Sequence, residues 1–176
     1  MRARKLLVEA VRLHLVPALI DRGFVVAPLV HRGPVDREFV LSLPLGRLRR
    51  LRTDGGVDLV ELDFAARKRA AFRILAGRAP ADGLETFTGH WDGGDVYVGW
   101  LPEYFEMYAW PRFRRWFSVW HWPHKSPPDN AYDALAVRVA KLLPEVDQAL
   151  SDGSLGRHMR LVQVPRTRSG GAPAQS

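Results

Sequence analysis

A chain of 176 residues, 47% apolar and 26% charged, has the proportions of one globular domain and can bury about 70% of its unfolded surface. It has no cysteine, which excludes disulfides, thiol catalysis and Cys-ligated zinc or iron–sulfur centres, and fits a cytoplasmic protein. Its net charge of +7 is unevenly spread, with sums of +7 over residues 1–52, −5 over 53–110 and +5 over 111–176, an imbalance that invites an anionic partner. Only four of the 26 cations are Lys, however, so a general bias toward Arg accounts for much of the excess.

The first predicted element is a helix over residues 3–22. Leu6, Leu7, Ala10, Leu13, Val16 and Ile20 recur at helical spacing, and Gly23 stands where a left-handed C′ residue belongs. Pro17 should kink or split that helix. The basic start is followed by an apolar run that Glu9 and Arg12 interrupt, so neither a signal sequence nor a membrane-spanning helix is expected.

Strands follow. Phe24–Leu29 is a short apolar run. Phe39, Leu41, Leu43 and Leu45 alternate with Val40, Ser42 and Pro44, which predicts a half-buried strand with Pro44 at an edge or bulge. Thr53-Asp54-Gly55-Gly56 is a turn signal, so residues 39–52 and 57–65 are expected to form a hairpin. Ala70–Ala76 supplies the next strand, and residues 77–95 look like loop. Tyr97–Leu101 and Glu106–Trp110 read as strands or as a strand and a turn, and Arg114–Trp122 alternates with period two, which predicts another strand.

A second helix starts near Asp129 or Asn130, with Tyr132, Leu135, Val139, Leu142, Leu143, Val146 and Leu150 as its apolar stripe. Pro144 divides it and Asp152-Gly153 ends it. Arg157–Val164 is a last strand or a docked extension. The expected fold is therefore α+β: an antiparallel sheet with an N-terminal and a C-terminal helix packed on one face, formed by residues 1–164. Residues 165–176 have no apolar payload and are expected to be a disordered tail.

The chemistry-bearing candidates are few. Glu61 and Asp63 share a strand face and are the available acid–base pair. The Arg row at 47, 49, 50 and 52 lies across the predicted turn, and cross-strand pairing with it is the simpler role for those carboxylates. His121 and His124 are close but have no third ligand at metal spacing, and His14 sits among apolar residues on a helix. No Gly-x-Ser-x-Gly elbow, Walker loop or dinucleotide fingerprint is present. No cofactor or metal is expected, and catalysis is not favoured.

Eleven of the 18 aromatic residues fall between Tyr97 and Trp122. Within this block Trp110, Arg112, Arg114, Arg115, Trp116 and Trp120 combine rings with cations. Such a strand suits a protein interface, where Trp and Arg concentrate binding energy. It also suits single-stranded nucleic acid, which needs phosphate neutralised and bases stacked, or a small aromatic or acidic ligand. Packing of most rings in the core competes with all three.

The succession Leu19-Ile20-Asp21-Arg22-Gly23-Phe24, Val60-Glu61-Leu62-Asp63-Phe64, Phe72-Arg73-Ile74 with Gly77, Trp116-Phe117 and Leu143-Pro144-Glu145-Val146 resembles a group of small bacterial α+β domains without a characterised function. The similarity spans residues 5–160. It implies an α+β fold and a partner-binding role of the immunity or contact-system kind, with no catalytic residues to carry over. Immunity proteins against nucleases tend to be acidic. The basic charge here argues against that role and leaves an acidic or membrane-active toxin as partner. The expectation is thus a non-enzymatic protein-binding module, with nucleic acid as the alternative partner and no membrane insertion.

Overall fold

A computed structural model describes residues 2–29, 37–65, 69–86, 89–109, 116–119 and 127–164, with the backbone alone at 37–39. The first helix is not broken at Pro17. Helix α1 (Arg2–Ala10) runs through a π turn (Val11–Leu15) into α2 (Val16–Ile20). The widened turn, in which the Val16 N–H reaches Val11 O, lets the proline ring pass without ending the element. Gly23 follows at φ +84°, as its position after the helix requires.

Strand β1 (Val25–Ala27) comes next, then α3 (Arg37–Ser42). The helix corrects the strand expected over 39–45. A run in which nearly every residue is apolar carries no usable period, and Pro44 cannot donate to a ladder. The hairpin therefore begins later, as β2 (Arg47–Leu51) and β3 (Val57–Phe64). Strand β4 (Ala71–Ala79) outlasts its predicted end. The stretch expected to be loop holds a small separate ribbon, β5 (Leu84–Thr86) with β6 (Gly89–Trp91). Val98–Trp100 is a 3-10 turn, not a strand, and β7 covers Glu103–Met107. Of the strand expected over 114–122, the described part is β8 (Phe117–Ser118). Helices α4 (Asn130–Ala140) and α5 (Leu143–Asp152) match the predicted division at Pro144, and Gly153 closes α5 at φ +81°. Strand β9 (Met159–Gln163) completes the fold. Asp129 makes no side-chain cap for α4. It holds Arg2 at 2.7 Å instead.

The main sheet has seven antiparallel strands in the order β1-β2-β3-β4-β7-β9, with β8 beside β7 along the same edge of β4. The fold is α+β, with N- and C-terminal helices. Because strand residues alternate between faces, Leu48, Val60, Leu62, Phe64, Phe72, Ile74, Phe105 and Met107 point to one side. There they form a single core with Leu7, Val11, Leu15 and Leu19 from the first helix and Leu135, Val139, Val146 and Leu150 from the last two. Phe72 joins this layer to Phe64 and Phe117 at 5.6 and 5.4 Å between ring centres.

The opposite, outer face has a smaller cover. Trp91, Val96, Tyr97, Val98 and Leu101 pack on Leu59, Leu75 and Ala79, with Leu43 from the end of α3. Leu101 occupies the space a side chain at Gly77 would need, since its Cδ1 lies 2.3 Å from the position of an added Cβ. Among the described residues the cover leaves two strips of the outer face open, with Trp116 half-buried at one and Val25 and Leu51 exposed at the other. Among the described residues no helix is long and apolar enough to cross a membrane.

Candidate functional site

The same alternation that builds the core sends a row of charged side chains outward. On β3 these are Glu61 and Asp63. Register places Arg47 of β2 opposite Glu61, Arg73 of β4 opposite Asp63, and Arg160 of β9 opposite Glu106 of β7. Four members of the described structure's polar interior are Arg47, Asp58, Glu61 and Glu106, each at most 4% exposed. Of these, Arg47, Glu61 and Glu106 belong to the outer row.

Arg73 is the centre of one half of this row. Its Nε donates to Asp63 at 2.7 Å and its guanidinium donates to Glu106 at 3.2 Å. Glu106 also accepts two bonds from Arg160, the Nε one at 2.9 Å. The Arg73 guanidinium lies 4.9 Å over the ring of half-buried Trp116, a cation–π stack. Burial raises the Asp63 carboxyl above its ordinary range, while Arg73 and a Ser42 hydrogen bond oppose the rise.

The other half clamps the cover. Arg47 reaches the backbone carbonyls of Pro28, Asp95 and Val96, the Asp95 carboxylate at 3.4 Å, and the Tyr97 ring at 4.8 Å. Glu61 accepts the Val98 N–H at 2.8 Å. Desolvation pushes the Glu61 carboxyl up to about 7, against the pull of that hydrogen bond and of Arg47. Arg47 and Glu61 are cross-strand neighbours, yet each directs its polar atoms to the segment above.

This divides the two carboxylates considered as an acid–base pair. Glu61 is sealed beneath Val98, and Asp63 is held by Arg73. They do not converge on a common cavity. Pairing across the turn does occur, but with other carboxylates: Arg50 of β2 holds Asp58 of β3 at 2.8 Å, and also Asp147 of α5 at 2.9 Å, and Arg52 holds Asp54 at 2.8 Å. His14 is bonded to Asp133 at 3.0 Å. Among the described residues no cluster of His, Asp and Glu is arranged to hold a metal ion. His121 and His124 lie outside the described residues.

Of the residues singled out as a binding face, Trp116 is on the outer face, stacked on Arg73. Trp110, Arg112, Arg114, Arg115 and Trp120 lie outside the described residues. The aromatic block divides between roles: Tyr97, Phe105 and Phe117 are buried, whereas Trp100, Tyr104, Tyr108 and Trp116 are partly exposed. Sequence reasoning missed Arg73, Glu106 and Arg160. Each sits singly on its strand, and only the register that aligns β4, β7 and β9 joins them. No protein-family model, curated protein or solved structure matches this chain significantly.

Proposed function

We propose that the chain is a non-enzymatic cytoplasmic module that binds a protein partner through the outer face at Trp116 and the aromatic, Arg-rich segment around it, Trp110, Arg112, Arg114, Arg115 and Trp120 included. The observation that carries this reading is the Trp116–Arg73 stack. A partly exposed indole rests on a guanidinium that two carboxylates already hold in place. Such an anchor loses little conformational freedom on association, and Trp and Arg are the residues in which interface energy gathers.

The distribution of charge favours protein over nucleic acid. Around the sheet Arg22, Arg47, Arg50, Arg52, Arg73 and Arg160 each hold a carboxylate, so their charges are largely compensated. A phosphate track needs cations that are not neutralised in this way. The test is capture from a bacterial lysate by the immobilised chain, with an Arg114→Glu/Arg115→Glu double variant and Trp116→Ala beside the wild type. Variants that melt like the wild type but lose the captured protein support the reading. Capture that survives both overturns it. Binding of a single-stranded oligonucleotide that weakens steeply between about 50 and 200 mM salt assigns the face to nucleic acid instead.

A further inference from the structure

The second open strip of the outer face lies at the opposite side of the cover, where β1 forms an edge of the sheet among the described residues. Natural edge strands are commonly protected by charged side chains, proline or bulges. The β9 edge carries Arg160 and Gln163. The β1 edge carries only Val25, Val26 and Ala27, with Val25 56% and Val26 50% exposed. Beside it is a groove of about 560 Å³, bordered by Gly23, Val25, Arg49, Leu51, Val57 and Gly94 and by Arg50, whose charge Asp58 and Asp147 already hold. Register puts Val25 opposite Arg49 and Leu51 opposite Val57, so all four side chains share the outer face. Leu51 is the most exposed large apolar residue described, at 77%.

Arg49 differs from the arginines around it. Arg22 and Arg50 hold Asp147, and Arg52 holds Asp54. Arg49 is exposed and has no ion pair among the described residues. An uncompensated guanidinium on the wall of a largely apolar groove, next to a strand edge that no other described strand pairs, calls for three things at once. The occupant must supply backbone hydrogen-bonding groups for the edge, apolar side chains for Val25 and Leu51, and a carboxylate for Arg49.

We infer that this strip receives an extended segment of a partner protein that adds as a strand beside β1 and carries an acidic side chain flanked by aliphatic or aromatic ones. The site is separate from the Trp116 face, so it stands or falls independently of the function proposed above. The backbone edge supplies affinity without regard to sequence, and Arg49 selects for the acidic residue.

The experiment is selection of random heptapeptides from a display library on the immobilised full-length chain, followed by fluorescence anisotropy on the most enriched synthetic peptide. The expected result is enrichment of peptides with Asp or Glu between apolar residues. Affinity should fall about tenfold or more in Arg49→Glu, and also in Val25→Lys, which places a charge on the open edge. Both positions are exposed, so melting temperatures should match the wild type. If either variant melts early, Leu51→Ser replaces it. Absence of an acidic–apolar preference overturns the inference, as does equal affinity in the variants. Sedimentation of the free chain as a dimer that Val25→Lys dissociates also overturns it, by giving the edge to a second copy.

Discussion

Replacing Glu61 with Gln isolates the energetic cost of a carboxyl that burial holds near neutrality. Its ordinary value is 4.5 and its value in the fold is about 7. Between those two limits the folded chain keeps a proton that the unfolded chain has released. The contribution of Glu61 is therefore most favourable below pH 4.5, declines as pH rises through the window, and levels off above pH 7. The difference between the plateaus is about 3 kcal/mol. Gln is close in size and keeps an oxygen for the Val98 N–H, but it cannot ionise. The stability of Glu61→Gln minus that of the wild type should thus rise by about 3 kcal/mol in favour of Gln between pH 4.5 and pH 8. Urea unfolding followed by circular dichroism across that range measures it. Comparing the two proteins at each pH cancels the titration of the exposed carboxyls, which do not interact with Glu61. A difference that stays flat, or that moves against Gln as pH rises, refutes the claim that a desolvated carboxyl lies under Val98.

Removing the cation at the centre of the outer row should be more damaging than removing an exposed one. Arg73→Met leaves Glu106, fully buried, with Arg160 alone and Asp63 without its main partner, and should cost about 3–5 kcal/mol in the same unfolding assay at pH 7. Trp116 fluorescence should change as its guanidinium neighbour is lost. Gly77→Ala should cost about 1–3 kcal/mol, because the new methyl displaces Leu101 and lifts the cover. Faster hydrogen exchange at Val98 in that variant locates the effect in the cover. Phe72→Ala opens the inner core between Phe64 and Phe117 and should lower stability by about 3–5 kcal/mol, read as a lower urea midpoint.

The elements legible in the sequence are those with strong local punctuation. Thr53-Asp54-Gly55-Gly56 fixes the β2–β3 turn, Pro144 divides the last helices, and Gly23 and Gly153 end theirs. Where punctuation is absent the reading fails in a definite way. Phe39–Leu45 is apolar at almost every position, so its apparent alternation does not distinguish a strand from the short helix α3. The outer charged row is illegible for a different reason. Arg73, Glu106 and Arg160 are far apart in the chain and meet only because β7 lies between β4 and β9. That order depends on β9 returning past two helices, which no local pattern announces. Glu61 and Asp63 could be placed on one face from their spacing, but their separate partners come from the cover and from β4.

The contact between the first helix and α4 has a consequence for synthesis on the ribosome. Arg2 reaches Asp129, His14 reaches Asp133, and Leu7, Val11 and Leu15 share their core with Leu135 and Val139. This helix is thus completed by one made more than a hundred residues later. At translation rates of about 5–20 residues per second, the apolar side of the nascent N-terminal helix waits about 5–25 s for that partner. The β2–β3–β4 meander emerges in the meantime and offers Leu48, Val60 and Leu62 as an earlier shelter. Newly made chains should therefore hold the helix on a half-built sheet, and the last two helices and β9 then close over it.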